Sequence, residues 1–144
     1  MIIILTQCFP PRIGGIENLL ENLSIELSKT HKTLVIADQH DQIKDRLNDK
    51  NYNNNLIIKR IGGIKFFRKR KKLAELKKLL LSNTITHIIG DSWKSFELTI
   101  DAINLFSVPT ICLAHGNELI SKNLSKKNRV ISTMNKVSHI VCNS

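Results

Sequence analysis

The sequence contains few cysteines, and they are not arranged as a disulfide or metal framework. Cys8, Cys112 and Cys142 are odd in number and far apart, and each lies in or beside an apolar run. This usage favours a reducing compartment and small buried side chains. No C-x-x-C pair is present, so zinc has little support and we expect no metal site.

The sequence also lacks a long hydrophobic run. The apolar run nearest the start, residues 2–5, has no basic residue before it and no small-residue cleavage site after it. It is too short for the core of a signal peptide or for a membrane span, so we expect a cytoplasmic protein. With 144 residues, 42% hydrophobic and 24% charged, the chain has the size and composition of one globular domain.

Aromatic residues make up only 5% of the chain, whereas the formal net charge is +10. The charge is concentrated in residues 59–80, which hold ten basic residues and one acidic residue, Glu75. No aromatic residue interrupts the basic run at residues 68–72, and base stacking on single strands needs aromatic side chains. The pattern therefore disfavours a nucleic-acid-binding module, which we keep only as an alternative.

The basic segment suits peripheral contact with an anionic membrane, such as the inner face of a cell membrane. Each basic residue near such a surface contributes about 1 kcal/mol of attraction, and Phe66 and Phe67 can insert between headgroups. The alternative is a solvated helix face. The residues expected to face the membrane are Lys65, Arg68, Lys69, Arg70, Lys71 and Lys72.

Six short runs rich in Ile and Val predict β-strands. Most are apolar on successive residues, as in strands covered on both faces. They alternate with helical patterns, which predicts an α/β fold: a Rossmann-like, doubly wound parallel sheet with helices on both faces. The sixth run is followed by no covering helix, so we expect one domain, residues 1–144, that is truncated at its carboxyl end. The predicted strands are Ile2–Gln7, Thr33–Asp38, Leu56–Arg60, Thr86–Gly90, Thr110–Ala114 and His139–Asn143.

Four helices are predicted between these strands. The ranges 95–106 and 122–136 suggest the last two, and the polar range 39–55 is a loop or a short helix followed by a loop. The first two show apolar residues at helical spacing. These stripes are Ile16, Leu19, Leu20, Leu23 and Leu27, and then Phe66, Leu73, Leu76 and Leu80.

The turn after the first strand, residues 8–17, is the first candidate site, because ligands of open α/β sheets bind at the carboxyl ends of strands. Gly14 and Gly15 let the backbone approach a ligand closely, and the N–H groups at the start of the next helix can cradle a phosphate. The turn is not a G-x-G-x-x-G fingerprint, and a tight strand-to-helix turn is the structural alternative.

Other candidate residues follow later strands at the same edge. His115 can donate a hydrogen bond to a sugar hydroxyl or to a developing charge, or else it pins its own loop, and Gly116 opens space beside it. Asp91 and Trp93 follow the fourth strand. The indole of Trp93 either stacks on a sugar ring or caps the core.

With these segments in place, the sequence resembles the amino-terminal half of the family 4 retaining glycosyltransferases, which have the two-domain GT-B architecture. The likeness spans essentially all 144 residues, and its most specific part is the pattern FPP-x-x-GG-x-E near the start. The residues that carry it are FPPRIGGIENLLENLSIEL, the histidine His31 before the second strand, PTICLAHGNEL and HIVCNS.

The resemblance implies transfer of a sugar from a nucleotide-sugar donor to a glycan or lipid-linked acceptor, with retention of the anomeric configuration. It implies that Gly14, Gly15 and Gly116 approach the donor and that His115 lies beside the reacting sugar. The loops with Asp91 and Trp93 would face the acceptor. It implies no metal and no other cofactor, in keeping with the lack of a D-x-D pattern.

The resemblance covers only the acceptor-side half of such an enzyme. Relatives carry two glutamates eight positions apart in a second, nucleotide-sugar-binding domain, and this sequence has neither that pair nor that domain. Catalysis by preorganised charge needs both walls of the site. We therefore expect little or no sugar transfer by residues 1–144 alone, and a non-catalytic remnant is the alternative.

Overall fold

A computed structural model of the chain describes residues 1–116, 120 and 123–142. Within them, six parallel strands form one sheet in the order β3-β2-β1-β4-β5-β6. This confirms the predicted α/β, doubly wound architecture. The strands are β1 (Ile2–Leu5), β2 (Thr33–Asp38), β3 (Leu56–Ile61), β4 (His87–Gly90), β5 (Thr110–Ala114) and β6 (His139–Cys142).

Helices cover both faces of the sheet. Alternate residues of β1 point to opposite faces: Ile3 belongs to a core cluster with Leu76 and Val130, whereas Ile4 belongs to a second cluster with Leu20. Each face of the central strand is therefore buried, which explains its unbroken apolar run. The helices are α1 (Gly15–Ser28), α2 (Gln42–Asp49), α3 (Lys65–Ser82), α4 (Trp93–Phe96), α5 (Ile100–Asn104) and α6 (Leu124–Met134).

The polar range 39–55 contains a short helix followed by a loop, one of the two predicted alternatives. Helix α2 begins after Asp41, whose carboxylate accepts hydrogen bonds from the backbone N–H groups of Ile43 and Lys44. An aspartate at this position satisfies N–H groups that have no partner inside the helix. In α1 the predicted stripe holds except at Leu19, which is exposed.

The single helix predicted over residues 95–106 is wrong, because two short helices, α4 and α5, occupy this range. The turn between them is tighter than an α-helical turn, because the Thr99 N–H donates to the carbonyl of Phe96, three residues back. The Thr99 hydroxyl also donates to the Ser95 carbonyl at 2.8 Å. Side-chain bonds of this kind compete with regular helical pairing. The predicted helix over 122–136 is α6, and Lys122 lies outside the described residues.

The first half of helix α3 extends beyond the apolar face of the sheet and lies beside polar groups at the carboxyl ends of β1 and β2. Leu76 and Leu80 are buried against the sheet as predicted, but Phe66 is 69% exposed, so its place in the stripe was wrong. Lys72 occupies the corresponding buried position, because this part of α3 faces the carboxyl ends of β1 and β2 and not their apolar faces. No helix in the described part of the chain has both the length and the apolar character to cross a membrane.

Candidate functional site

A cleft of about 290 Å³ opens at the carboxyl ends of β1, β4 and β5. This is the switch point of the sheet. From β1 the chain first adds β2 and β3 on one side of the sheet, and it then adds β4, β5 and β6 on the other side. The cleft brings together the predicted residues Asp91, Trp93 and His115. We call it the His115 cleft, and it is lined by Gln7, Cys8, Ile16, Asp91, Ser92, Trp93, Lys94, His115 and Lys126.

The two glycines before Ile16 have different structural reasons. Gly14 precedes α1 in extended backbone, and a Cβ there would lie 2.2 Å from Oε2 of the buried Glu17. Its missing side chain therefore makes room for Glu17. At Gly15, the first residue of α1, a Cβ would meet nothing within 4 Å. Only Gly15 thus leaves open space at the helix start, as the ligand-approach interpretation requires.

Cys8 and Glu17 line the inner side of this turn. Glu17 pairs with Arg12 at 3.2 Å. Burial raises the pKa of the Cys8 thiol, and the carboxylates of Glu17 and Asp91 add to that rise against the opposing charge of Arg12. Because the thiolate is the nucleophilic form, the environment of Cys8 suits a neutral thiol.

The other two cysteines lie away from the turn, and only one of them fits the prediction of small buried side chains. Cys112 is buried as expected, whereas Cys142 is exposed, which corrects that prediction. All three lie within the described residues, and none forms a disulfide.

Asp91 is 5% exposed and its carboxylate is saturated with hydrogen bonds. Oδ2 accepts from the Thr6 hydroxyl at 2.8 Å and from the Gln7 N–H at 3.0 Å. Oδ1 accepts from the hydroxyls of Ser95 at 2.6 Å and Ser92 at 3.2 Å. Asp91 therefore ties the end of β1 to the turn between β4 and α4, and it shapes the cleft wall from within.

His115 is anchored to the same residue. Its Nε2 lies 2.7 Å from the backbone carbonyl oxygen of Asp91, which can only accept, so Nε2 carries the proton. This contact matches the loop-pinning alternative, and it also fixes the ring at the cleft wall. Gly116 follows with a φ of 77°, in the left-handed region that favours glycine, and a Cβ there would meet nothing within 4 Å.

Trp93 forms the floor of the cleft. It is 3% exposed and belongs to a core cluster. The Arg129 guanidinium lies 5.7 Å from its ring centroid, within the range of a cation–π contact. The position fits the core-capping alternative better than sugar stacking, because little of the ring reaches solvent.

A second cleft adjoins the first, between α3 and α4. We call it the basic cleft, and five cations line it against one acidic residue, Asp38. Gln7 and Lys94 line both clefts, so the two clefts are neighbours. The basic cleft is lined by Gln7, Asp38, Lys65, Arg68, Lys69, Lys72, Lys94, Ser95, Leu98 and Thr99.

Four of the six residues predicted to face a membrane line this cleft, and three of them are paired there with acidic side chains. Lys72 is 9% exposed and donates from Nζ to Asp38 Oδ1 at 2.6 Å and to the Thr6 carbonyl oxygen. Arg68 donates to Asp38 Oδ2 at 3.2 Å, and Lys69 pairs with Glu97 at 2.6 Å. For Lys72 the outward placement was wrong, because the acid at the end of β2 draws it inward. The predicted residues that remain exposed are Lys65, Arg70 and Lys71.

Glu97 pairs with Lys69, which lines the basic cleft, and with Arg129. Burial alone would raise the pKa of its carboxyl, but hydrogen bonds from Lys69 and Arg129 outweigh burial and hold that pKa below its usual value. Glu97 is therefore an anion that neutralises Lys69 and links α3 to α6.

Sequence reasoning missed Asp38, Gln7, Lys94 and His40 at this edge. Asp38 is the last residue of a buried strand, so its acidic side chain was a usable signal. His40 lies in the polar range 39–55, and its Nε2 donates to the Gln7 carbonyl oxygen at 3.0 Å. Among the residues that the structure describes, no cluster of three or more His, Cys, Asp or Glu is placed to hold a metal ion.

Comparison with known proteins identifies the fold. No protein-family model matches the chain, and no curated protein does. The solved structure of UDP-GlcNAc 2-epimerase from Methanocaldococcus jannaschii matches with a TM-score of 0.66 at 17% sequence identity. The match covers 99% of this chain but only 39% of the epimerase chain, so this chain spans well under half the length of that enzyme. The likeness shows that the chain forms a Rossmann-like domain of the GT-B-like kind.

Proposed function

We propose that this chain is the acceptor-side domain of a nucleotide-sugar enzyme, and that the enzyme is a retaining glycosyltransferase. The observation that carries the proposal is the cleft at the switch point of the sheet, where Cys8 and Ile16 of the turn at residues 8–17 face His115. The resemblance of the FPP-x-x-GG-x-E segment supports sugar transfer. A structural neighbour named for its action on UDP-GlcNAc supports the nucleotide-sugar class.

The start of α1 suits the diphosphate of the donor. The first N–H groups of an α-helix have no partner inside the helix, and the helix dipole favours negative charge at this end. At Gly15 no side chain blocks the approach. Lys126 lines the same cleft and adds positive charge for the leaving diphosphate.

His115 is assigned to the reacting sugar. The bond from its Nε2 to the Asp91 carbonyl holds the imidazole at the cleft wall and lowers the cost of orienting it. A group held in place before the reaction stabilises developing charge better than a mobile one. In this proposal a second domain supplies the opposite wall of the site and contacts the base of the nucleotide, whereas this chain contacts its diphosphate.

Binding of UDP is the first test, and Gly15→Glu (G15E) is the decisive variant. We expect UDP and UDP-GlcNAc to shift the backbone amide resonances of residues 14–17 and His115 of the labelled chain. G15E should weaken that binding by about tenfold or more, because a carboxylate then occupies the phosphate position. The fold should persist, since a Cβ at this position meets nothing within 4 Å.

Asn22→Glu (N22E) is the matched control, because Asn22 is exposed on the same helix and the substitution adds the same charge two turns away. N22E should bind UDP as the wild type does. Unchanged spectra of the wild-type chain at millimolar UDP and UDP-GlcNAc would contradict the proposal, as would equal loss of binding in N22E and G15E.

A membrane contact is a second candidate property, and a specific surface favours it. Ile64, Phe66 and Phe67 are 72%, 69% and 50% exposed, and they stand together at the start of α3 beside basic side chains. The two phenylalanine rings pack edge to face at 5.6 Å, with the Arg70 guanidinium 5.5 Å from the ring centroid of Phe66. Aromatic groups framed by cations are typical of interfacial helices.

The double variant Phe66→Ser/Phe67→Ser tests this contact by sedimentation with anionic vesicles at low and high salt. We expect the wild type to bind at low salt and the variant to lose most of that binding, because it keeps the charges but loses the inserting rings. Leu81→Ser serves as the control, since Leu81 is 77% exposed at the other end of α3. Failure of the wild type to bind at low salt would exclude the membrane candidate.

A further inference from the structure

We propose that the basic cleft binds the phosphate or diphosphate group of a phosphorylated acceptor. The inference rests on the proposed function, which it deepens by naming the chemical class of the acceptor. It starts from the imbalance of charge in the cleft, where five cations stand against Asp38 alone. Asp38 is already paired with Lys72 and Arg68, and Lys69 is paired with Glu97.

Two of the five cations remain for a ligand. Lys65 on α3 and Lys94 on α4 are exposed at the cleft, and neither forms an ion pair within the described part of the chain. They approach the cleft from two different helices, so both ammonium groups can contact one anion bound between them. Ammonium groups of this kind form strong, charge-assisted hydrogen bonds with phosphate oxygens.

The guanidinium of Arg68 carries an unsatisfied donor beside these lysines. Its Nε is buried and has no hydrogen-bond partner among the described residues, although its Nη1 bonds Asp38. A buried donor without an acceptor is costly and calls for a ligand or another partner. The oxygens of a phosphate in the cleft would supply acceptors next to this group.

The start of α3 adds further positive potential. Its first turn contains no acidic residue, and Ile64 at the N-cap offers no side-chain hydrogen bond. Lys65 and Arg68 therefore stand at the positive end of an 18-residue helix dipole. Cations at this end are unfavourable by themselves, and an anion between them relieves the repulsion.

The position of the basic cleft fits an acceptor rather than an isolated anion site. Gln7 and Lys94 line both clefts, so a phosphate held by Lys65 and Lys94 lies next to the cleft that contains His115. A hydroxyl of the same molecule then reaches the cleft where the sugar is transferred. The phosphate takes part in no bond change and serves only to hold the acceptor.

The test compares two pairs of lysine substitutions in the full chain, with inorganic pyrophosphate as the probe. Lys65→Gln/Lys94→Gln removes the two cleft cations, and Lys77→Gln/Lys78→Gln removes two exposed lysines elsewhere on α3. Both pairs lower the net charge equally, so general attraction changes alike. We expect the first pair to weaken pyrophosphate binding by about tenfold and the second pair by less than about twofold. Binding is followed by amide shifts at residues 65–72 and 92–95.

Vesicles separate the two sources of such a phosphate. If vesicles with phosphatidic acid bind more tightly than vesicles with phosphatidylserine, and Lys65→Gln/Lys94→Gln removes the difference, the acceptor phosphate is carried by a lipid. Pyrophosphate binding without that preference assigns a soluble acceptor. Absence of pyrophosphate binding, or equal loss in both lysine pairs, would overturn the inference. The proposed function is judged separately, by the UDP response at Gly15.

Discussion

Replacement of Asp91 by asparagine (D91N) should lower the free energy of unfolding by about 3 kcal/mol, because hydrogen bonds to a charged group contribute about 1.5–3 kcal/mol each and are not additive. The carboxylate accepts four hydrogen bonds, from Thr6, Gln7, Ser92 and Ser95. In D91N an NH2 group replaces one oxygen and faces donors. At least one buried donor then loses its acceptor, which costs more than the loss of an exposed bond.

The measurement is thermal and urea unfolding followed by circular dichroism, with an expected decrease of about 10 °C in Tm for a domain of this size. Asp101→Asn is the matched control. Asp101 is exposed, and its carboxylate forms a surface ion pair with Lys136 at 2.8 Å, so its change should be below about 0.5 kcal/mol. A D91N effect no larger than that of the control would show that Asp91 does not hold the two strand ends together.

Replacement of Gly90 by alanine (G90A) should destabilise the fold by about 2 kcal/mol. Gly90 lies in β4, between β1 and β5, and a Cβ there would sit 2.4 Å from Cε2 of Phe96. Phe96 is fully buried in the core cluster, so its ring has no free space to move into. The added methyl group therefore forces α4 away from the sheet or distorts the strand.

Gly15→Ala is the control for G90A, because a Cβ at Gly15 meets nothing within 4 Å. We expect that variant to be as stable as the wild type or slightly more stable, since alanine in a helix restricts the unfolded chain more than glycine does. Urea unfolding of the three proteins compares them directly. If G90A unfolds at the wild-type urea concentration, the close contact between β4 and α4 is not a constraint on this position.

The central strands β1, β2 and β4 were predictable because burial on both faces leaves a continuous apolar run in the sequence. Strand β6 carries a similar run although its four residues are exposed. The six predicted strands are all present, and the largest difference is in the first, which was extended to Gln7 but ends at Leu5. Thr6 and Gln7 leave the strand to hydrogen bond Asp91. Asn143, the predicted end of the last strand, lies outside the described residues. Such ends depend on partners distant in sequence, which local composition does not encode.

The basic segment shows why the site was predicted only in part. Ten basic residues in one range indicate positive charge, but they do not indicate which way each side chain points. The helical phase does: Lys72, Leu76 and Leu80 share one buried face of α3. The acid that completes the arrangement, Asp38, comes from a separate strand, and the pairing became visible only in the fold. The position of the turn at residues 8–17 and of His115 at this edge was predictable, because each follows a strand of the sheet.

The strand order has a consequence for how occupancy of the site is linked to stability. β1 and β4 are neighbours, with Ile2 in register with His87, so the contact between these strands joins the first and second halves of the chain. Both clefts lie across the contact between β1 and β4, and each is lined by residues from both halves of the chain. A local unfolding event that separates β1 from β4 would disrupt both clefts at once. A ligand in either cleft therefore contacts both halves of the chain and opposes the separation of β1 from β4. We expect it to protect the amides of both strands from hydrogen exchange, and a ligand of higher affinity to protect them more.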